Sequence, residues 1–359
     1  MDLLQEARLM INDIDSRMAD LFVQRMRAAE MVAQYKKTNG MPIYDAEREE
    51  AVIRRGSACV EDETLREYYI DFMRNTMAVS RRYQHRLLQG MKVAYSGTEG
   101  AFAHITSHKL FPDAEKLAYG DFKAAYDAVV SGECDAAVLP LENSYAGEVG
   151  QVTDLMFSGP LYVNHIMPLS ITHDLLAVEG ATLGSVKTVV SHPQALSQCD
   201  DFIRAHGYAQ LPYTNTALAA QYVAEQNDPT VAAIASAESA ARYGLKPLAE
   251  GINHSQVNTT RFAVLSRYED RNICKRHGAH FVLMFTVKNE AGALVRALNV
   301  ISAHDFNMRT LRSRPMKELL WQYYFYVEVE GDVHSMEGKS LLEALKVCCD
   351  QVKYVGSFI

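Results

Sequence analysis

The sequence predicts three fold classes in succession along one chain: all-α over 1–90, α/β over 91–270 and α+β over 278–359. Length is the first reason, because 359 residues exceed what a single core comfortably fills. Texture is the second. Strand signals are nearly absent before residue 90, and from 92 to about 270 short apolar runs alternate with helical patterns. The third is a restart: after the polar stretch "EDRNICKRHG", the strand "HFVLMFTVK" opens a new segment that ends in "YVGSFI". Hydrophobic residues at 48% and charged ones at 22% are ordinary for a globular protein. A net charge of −8 argues against a nucleic-acid partner. No apolar run approaches a membrane span, and the charges spread through "MDLLQEARLMINDIDSR" do not suit a signal peptide, so a cytoplasmic protein with no membrane partner is expected. The six cysteines contain no C-x-x-C pair and the twelve histidines lack ligand spacing. Reduced thiols and no structural metal are the expectation.

In the first segment Leu4, Ala7, Ile11, Ile14, Met18, Leu21, Arg25, Ala28 and Val32 stand three and four apart. That is the heptad seam of one long helix, and such seams usually pair with another copy. Arg25 occupies the seam itself. An uncompensated buried charge costs about 3–5 kcal/mol, so Arg25 needs an anionic partner; the alternative is a coiled-coil specificity residue. Lys36 follows eleven positions later, about 16 Å along the axis and on nearly the same face, so the two side chains can close around a small dianion. Arg8 precedes Arg25 by about 26 Å of helix and can join them only from a second, antiparallel chain. A second helix opens at the N-cap Asp45 and closes at Gly56, with Asp45, Arg48, Glu49 and Val52 sharing a face. A third, about 62–89, sets Ser80 and Gln84 one turn apart. Each pair taken alone reads as a solvated helix face.

Taken together, residues 3–89 resemble the all-helical chorismate mutase domain, whose dimers intertwine their first helices. Arg8, Arg25, Lys36, Asp45, Arg48, Glu49, Ser80 and Gln84 all match that family's active-site positions. The resemblance implies a pericyclic rearrangement of chorismate to prephenate, which needs no nucleophile and no cofactor. The enzyme holds two carboxylates in a near-attack conformer and stabilises charge on the breaking ether oxygen. Arg25 and a second chain's Arg8 would each clamp a carboxylate, Lys36 and Gln84 would face the ether oxygen, and Glu49 would engage the ring hydroxyl.

The middle segment opens with "KVAYSGTEGAFAH", a strand, a glycine turn and a helix start suited to an anion. The G-x-G-x-x-G fingerprint is absent, which removes a dinucleotide-dependent reading. "DAAVLPLENSYAGEVG" and "VKTVVSHPQALSQCDDF" each run from an apolar strand through a polar turn into a helix. They put Glu142, Asn143, Ser144, Ser191, His192 and Gln194 at the carboxyl ends of strands, where open α/β sheets bind ligands. His192 before Pro193 reads equally as a general base or a helix cap. In "NTTRF", Thr260 and Arg261 read either as the solvated end of a strand or as a place where ligand is handled.

Across about 92–268 these elements resemble prephenate dehydratase, in that family's order. The resemblance implies two α/β lobes around a cleft, like a periplasmic binding protein. Thr260 falls on the catalytic threonine, and Glu142, Asn143, Ser191 and Gln198 on cleft-lining positions, Glu142, Asn143 and Gln198 among the catalytic ones; His192, Gln194, Arg261 and Phe262 are expected to bind substrate. "ENSYAG" departs from the commoner "ENTSSG" at Ser144, Tyr145 and Ala146. Thr260 would donate a hydrogen bond to the departing hydroxyl, Arg261 would anchor the pyruvyl carboxylate or a neighbouring loop, and Phe262 would pack under the ring.

From 279 the order reads strand 280–288, helix 292–304, strand 307–312, strand 321–330, helix 338–350 and strand 353–358. This βαββαβ succession is the ferredoxin-like split unit. "NEAGALVRALNVI" and "LRSRP" resemble the ACT regulatory domain, which implies phenylalanine as effector at Gly292, Ala293, Leu294, Val295, Ser313, Arg314 and Pro315. Arg312 stands where that family has a glutamate, a reversed charge beside the effector positions; the alternative is a dimerisation domain without ligand. The three resemblances together imply a chain that takes chorismate through prephenate to phenylpyruvate, as a homodimer or a dimer of dimers.

Overall fold

The computed structural model describes residues 2–254, 258–316 and 322–359. They form two units that divide between Met91 and Lys92, at the first expected join.

The first unit is three helices, α1 (Leu3–Thr38), α2 (Ala46–Ser57) and α3 (Glu63–Gln89). Asp2, Asp45 and Asp62 cap their N-termini through their carboxylates. α1 has 36 residues, about 54 Å of helix. Its C-terminal third packs on α3 through Ala29 and Ala33, yet the apolar seam before Arg25 stays bare: Ile11 is 55% exposed and Leu21 62%. Among the described residues of this unit nothing covers that seam. Gly56 does not end α2, which runs on to Ser57 with Ala58 as its cap. A Cβ at Gly56 would lie 2.6 Å from the Tyr69 hydroxyl, so this glycine admits the α3 tyrosine rather than turning the chain.

The second unit carries the other two expected segments, joined by one continuous sheet. Its first lobe holds β1 (Lys92–Ser96), β2 (Glu115–Tyr119), β3 (Ala136–Asn143), the short β4 (Gly147–Glu148), β5 (Tyr162–Ser170) and β11 (Thr259–Ser266), with α4 (Phe102–Leu110), α5 (Phe122–Ser131) and α6 (Gly150–Ser158). The second lobe holds β6 (Asp174–Ala177), β7 (Thr188–Ser191), β8 (Ala209–Pro212), β9 (Val231–Ala235) and β10 (Lys246–Ala249) in the order β10-β6-β9-β7-β8. Its helices are α7 (Pro193–Gln198), α8 (Asp200–His206), α9 (Thr216–Gln226) and α10 (Ala237–Tyr243). Each lobe has its own apolar core.

After the short α11 (Arg271–Cys274) come β12 (His280–Thr286), α12 (Ala293–Ala303), β13 (Met308–Pro315), β14 (Tyr323–Glu330), α13 (Met336–Cys348) and β15 (Gln351–Phe358). This is the expected βαββαβ order with ends moved by a few residues; residue 321 of the expected third strand lies outside the described residues. The sheet runs β13-β14-β12-β15 and continues through β5 into β11-β3-β1-β2. The junction is a close backbone approach. Gly356 sits at φ 133°, and a Cβ there would lie 2.1 Å from the Val163 carbonyl oxygen. Alternation along β12 then splits the C-terminal core: Phe281, Leu283 and Phe285 pack under α12 and α13, while Val282 and Met284 face the first lobe. Among the described residues no helix is long and apolar enough to cross a membrane.

Candidate active sites

In the helical unit, Arg25 on α1 donates to the Ser80 hydroxyl on α3, and Ser80 and Gln84 are both buried. Burial pushes the Arg25 guanidinium below its ordinary value, opposed by the nearby Glu49 carboxylate. Glu49 on α2 meets Arg81 through both its oxygens, and Arg81 lies over the Tyr44 ring at 5.2 Å. Lys36 Nζ donates to the Ile43 carbonyl at 2.6 Å, which turns it toward the start of α2. Asp45 Oδ1 accepts from the Arg48 amide at 3.0 Å, so this carboxylate serves the helix cap, while the Arg48 side chain is exposed. Gln84 Oε1 is buried without a partner among the described residues. Arg25, Glu49, Ser80 and Gln84 therefore converge, and Arg8 stays exposed on the bare part of α1. Arg81 escaped the sequence reading, although its spacing of three from Gln84 puts it on the same face.

In the second unit a cavity of about 530 Å³ opens between the lobes. Thr260, Asn143, Phe262, His192, Gln194 and Gln198 line it, as expected of them. Thr260 and Asn143 are register partners on β11 and β3, and Asn143 Nδ2 donates to Thr260 Oγ1 at 2.9 Å. Asn143 is itself fixed: its Oδ1 accepts from the amides of Tyr145 at 3.0 Å and Ala146 at 2.9 Å, and its Nδ2 also donates to Asn258 Oδ1 at 2.8 Å. From Asn258 the network passes to Gln198 Oε1 at 3.0 Å and on to His173 Nε2 at 2.9 Å. Burial holds the His173 imidazole below its ordinary value, against the Gln198 hydrogen bond and the Asp174 charge. His192 caps α7, with Nδ1 accepting from the Gln194 amide at 3.2 Å, and burial lowers its pKa too. Of the two readings of His192, the cap is the one its contacts occupy.

Among the described residues no lysine or arginine lines this cavity. The starts of α4, α5 and α9 do, through Phe102, Phe122 and Thr216; Asp121 caps α5 and Asn215 caps α9, whereas α4 has no side-chain cap.

Three expected cleft residues lie elsewhere. β3 extends through Asn143, so alternation sends Glu142 to the opposite face, and likewise Arg261 beside Thr260. Behind the cavity Arg261 Nη1 donates to Glu142 Oε1 at 2.5 Å, and Arg261 also holds Glu328 through two bonds of 2.9 and 3.1 Å. Arg312 Nη2 donates to the second oxygen of Glu142. Ser191 is fully buried and gives its hydroxyl to the Ile234 carbonyl at 2.5 Å. Arg314, expected at the effector site, turns to Asp154 with bonds of 3.1 and 3.3 Å, because Arg312 and Arg314 share the face of β13 that packs on the first lobe. Ser313 and Pro315 are exposed; Gly292 caps α12 at φ 79°, Ala293 is buried, Leu294 half-buried and Val295 exposed.

His173 was missed because a single histidine in "ITHD" carries no spacing signal. One group of metal-type donors also forms: Glu269, Cys274 and His334 lie within 4.8 Å of one another. Glu269 is already engaged by His334 Nε2 and the Tyr354 hydroxyl, each at 2.5 Å.

Residues 93–270 match the prephenate dehydratase family and residues 7–85 the chorismate mutase type II family. The chain is 31% identical to a bifunctional chorismate mutase/prephenate dehydratase of Neisseria gonorrhoeae, over 99% of this chain and 97% of that protein. It is 32% identical to arogenate dehydratase 2 of Petunia hybrida, over 75% of this chain and 71% of that protein. A solved prephenate dehydratase from Arthrobacter aurescens, in complex with L-Phe, superposes with a TM-score of 0.69 at 26% identity, over 75% of this chain and 90% of that one.

Proposed function

The chain belongs to the bifunctional chorismate mutase/prephenate dehydratases, and on that premise we propose how its residues divide the two reactions. The established part is the overall chemistry: chorismate is rearranged to prephenate, and prephenate is dehydrated and decarboxylated to phenylpyruvate in phenylalanine biosynthesis.

For the mutase, Arg25 clamps one carboxylate and the Arg8 of a second chain the other. Lys36 and Gln84 face the ether oxygen, Glu49 takes the ring hydroxyl, and Asp45, Arg48 and Ser80 complete the enclosure. The bare seam of α1 supports a second copy of the chain as its cover. Arg8 is about 26 Å from Arg25 along the helix, so a complete site requires that copy.

For the dehydratase, the carrying observation is the Thr260–Asn143 pair facing a cavity that no lysine or arginine among the described residues lines. Asn143 donates to Thr260 Oγ1, which leaves the threonine's own proton for the departing hydroxyl. As that C–O bond breaks, the bond to the ring carboxylate breaks as well. Its electrons complete the aromatic ring, CO₂ leaves, and the hydroxyl departs as water with a proton taken up from solvent and relayed through the Thr260 hydroxyl, which is neutral before and after. The pyruvyl carboxylate is held by helix N-termini, and Phe262 supports the ring. Gln198 and His173 hold Asn258 and through it Asn143. Glu142 and Arg261 act from behind the wall.

The C-terminal βαββαβ module is read as an ACT domain taking phenylalanine, the ligand of the Arthrobacter protein, at Gly292–Val295 with Ser313 and Pro315. Arg314 serves to dock the module. One experiment tests both active sites and the effector: incubate the purified chain with chorismate, follow phenylpyruvate, and repeat with phenylalanine added. Arogenate, run in parallel, tests the amino-side-chain substrate named for the petunia relative. Accumulation of prephenate without phenylpyruvate would refute the dehydratase assignment.

A further inference from the structure

Thr260 and Asn143 face the cavity, and the next register pair, Arg261 and Glu142, faces away from it. The ladder between β11 and β3 slips at this point: Arg261 opposes Glu142 while Phe262 opposes Pro140, which leaves Leu141 as an extra residue. A bulge loosens the backbone's own hold on the strand end, so side chains must fix what the ladder does not. Here they do. Glu142 is gripped by two guanidiniums, Arg261 from the neighbouring strand and Arg312 from β13 of the C-terminal module.

Two acids and two bases close this cluster. Arg261 spans Glu142 and Glu328, the Tyr326 hydroxyl donates to Glu328 Oε1 at 2.8 Å, and Arg312 lies 5.7 Å from the Tyr326 ring. Glu328 is 3% exposed and Tyr326 fully buried, so the four charges must balance one another. Arg312 Nη1 is buried without a partner among the described residues. Its sign matters as well. A glutamate at 312, as the ACT resemblance would have it, would confront Glu142 with a like charge.

We propose that Arg312 is a positioning residue of the dehydratase reaction: it holds Glu142, and thereby the adjacent Asn143, so that the Thr260 hydroxyl stays aimed into the cavity. The proposal rests on Thr260 and Asn143 forming the reacting centre. It makes the C-terminal module of the same chain part of the active site's support, through Arg312 on Glu142 and Glu328 on Arg261.

The test uses the full chain, with Arg312→Met, Arg312→Lys and Arg312→Glu assayed on prephenate, and with mutase activity on chorismate as an internal measure of an intact protein. Arg312→Met should lower dehydratase kcat about tenfold or more with KM within about twofold, since what is lost is orientation rather than binding. Arg312→Lys should recover most of that loss, and Arg312→Glu should exceed it. In a Glu142→Gln background Arg312→Met should add little, because the two residues act as one unit. The proposal is overturned if Arg312→Met leaves kcat unchanged, if its effect is undiminished in the Glu142→Gln background, or if the lysine variant does no better than methionine. A wild-type chain that ignores prephenate would instead sink the dehydratase assignment beneath it.

Discussion

Replacing Thr260 by valine removes one hydroxyl and very little else. The side chain is 9% exposed and valine has nearly its shape, so the strand pairing of β11 with β3 and β5 is preserved. Asn143 Nδ2 loses Oγ1 at 2.9 Å but keeps Asn258 Oδ1 at 2.8 Å, so no donor is stranded and the stability loss should be about 1 kcal/mol. The catalytic loss should be far larger. A fixed donor aimed at charge that develops only in the transition state is worth about 10²–10³ in kcat, or about 2.7–4 kcal/mol. With the pyruvyl carboxylate held by helix N-termini elsewhere in the cavity, as proposed, KM should change by less than about threefold. Thr260→Ser, which restores the hydroxyl, should recover all but about tenfold of the rate. The assay is phenylpyruvate formation from prephenate, with chorismate turnover by the same preparation as control. A valine variant with near-normal kcat would refute the donor role, and a change confined to KM would move Thr260 from chemistry to binding.

Three further outcomes follow from the geometry. Mixed dimers made by coexpressing Arg8→Ala and Arg25→Ala chains should regain about a quarter of wild-type mutase activity, since half the dimers are mixed and each holds one intact site; no recovery would show that Arg8 acts within its own chain. Gly356→Ala should destabilise the second unit by about 2–4 kcal/mol, because its Cβ would fall 2.1 Å from the Val163 carbonyl oxygen; calorimetry should find that transition lowered and the helical unit's unchanged. The buried His173 has a folded pKa below the unfolded 6.5, so the unfolded state binds more protons and stability falls as pH drops below about 6.5. Denaturation midpoints measured from pH 7.5 down to about 5 should show a shallower acid slope in His173→Gln.

What was legible in the sequence was what is local. The helical unit follows from a 3.6-residue rhythm and the cap at Asp45, and the C-terminal βαββαβ order follows from six short patterns. Thr260 and Asn143 were found because each belongs to a compact motif at a strand end. The misplacement of Glu142 has a local cause as well. β3 runs on through Asn143, so adjacent residues face opposite sides, where a turn would have kept them together. The partners of Glu142 were out of reach for a different reason: Arg261 lies 119 positions away and Arg312 170, and no local periodicity encodes such a meeting. Gly56 misled in the same manner, since its reason for being glycine is Tyr69 on another helix.

The division of the strand pair into two faces also explains why the arginines sit where they do. Prephenate must surrender a carboxylate as neutral CO₂, so any cation on that group stabilises the reactant and is lost on the way to the transition state. A charged hydrogen bond of that kind is worth about 1.5–3 kcal/mol, roughly a tenfold to hundredfold penalty in rate. A wall whose described residues include no lysine or arginine avoids it, and helix N-termini can hold the other carboxylate from one side with no mobile charge to swing across. Yet the strand ends still need fixing at a bulge, where the ladder is weakest. Placing Arg261 and Glu142 one residue from the reacting pair, with Arg312 on Glu142 from β13, meets both demands, because the pleat keeps these charges on the far side of the sheet while the arginines' grip on Glu142 fixes the backbone that carries Asn143.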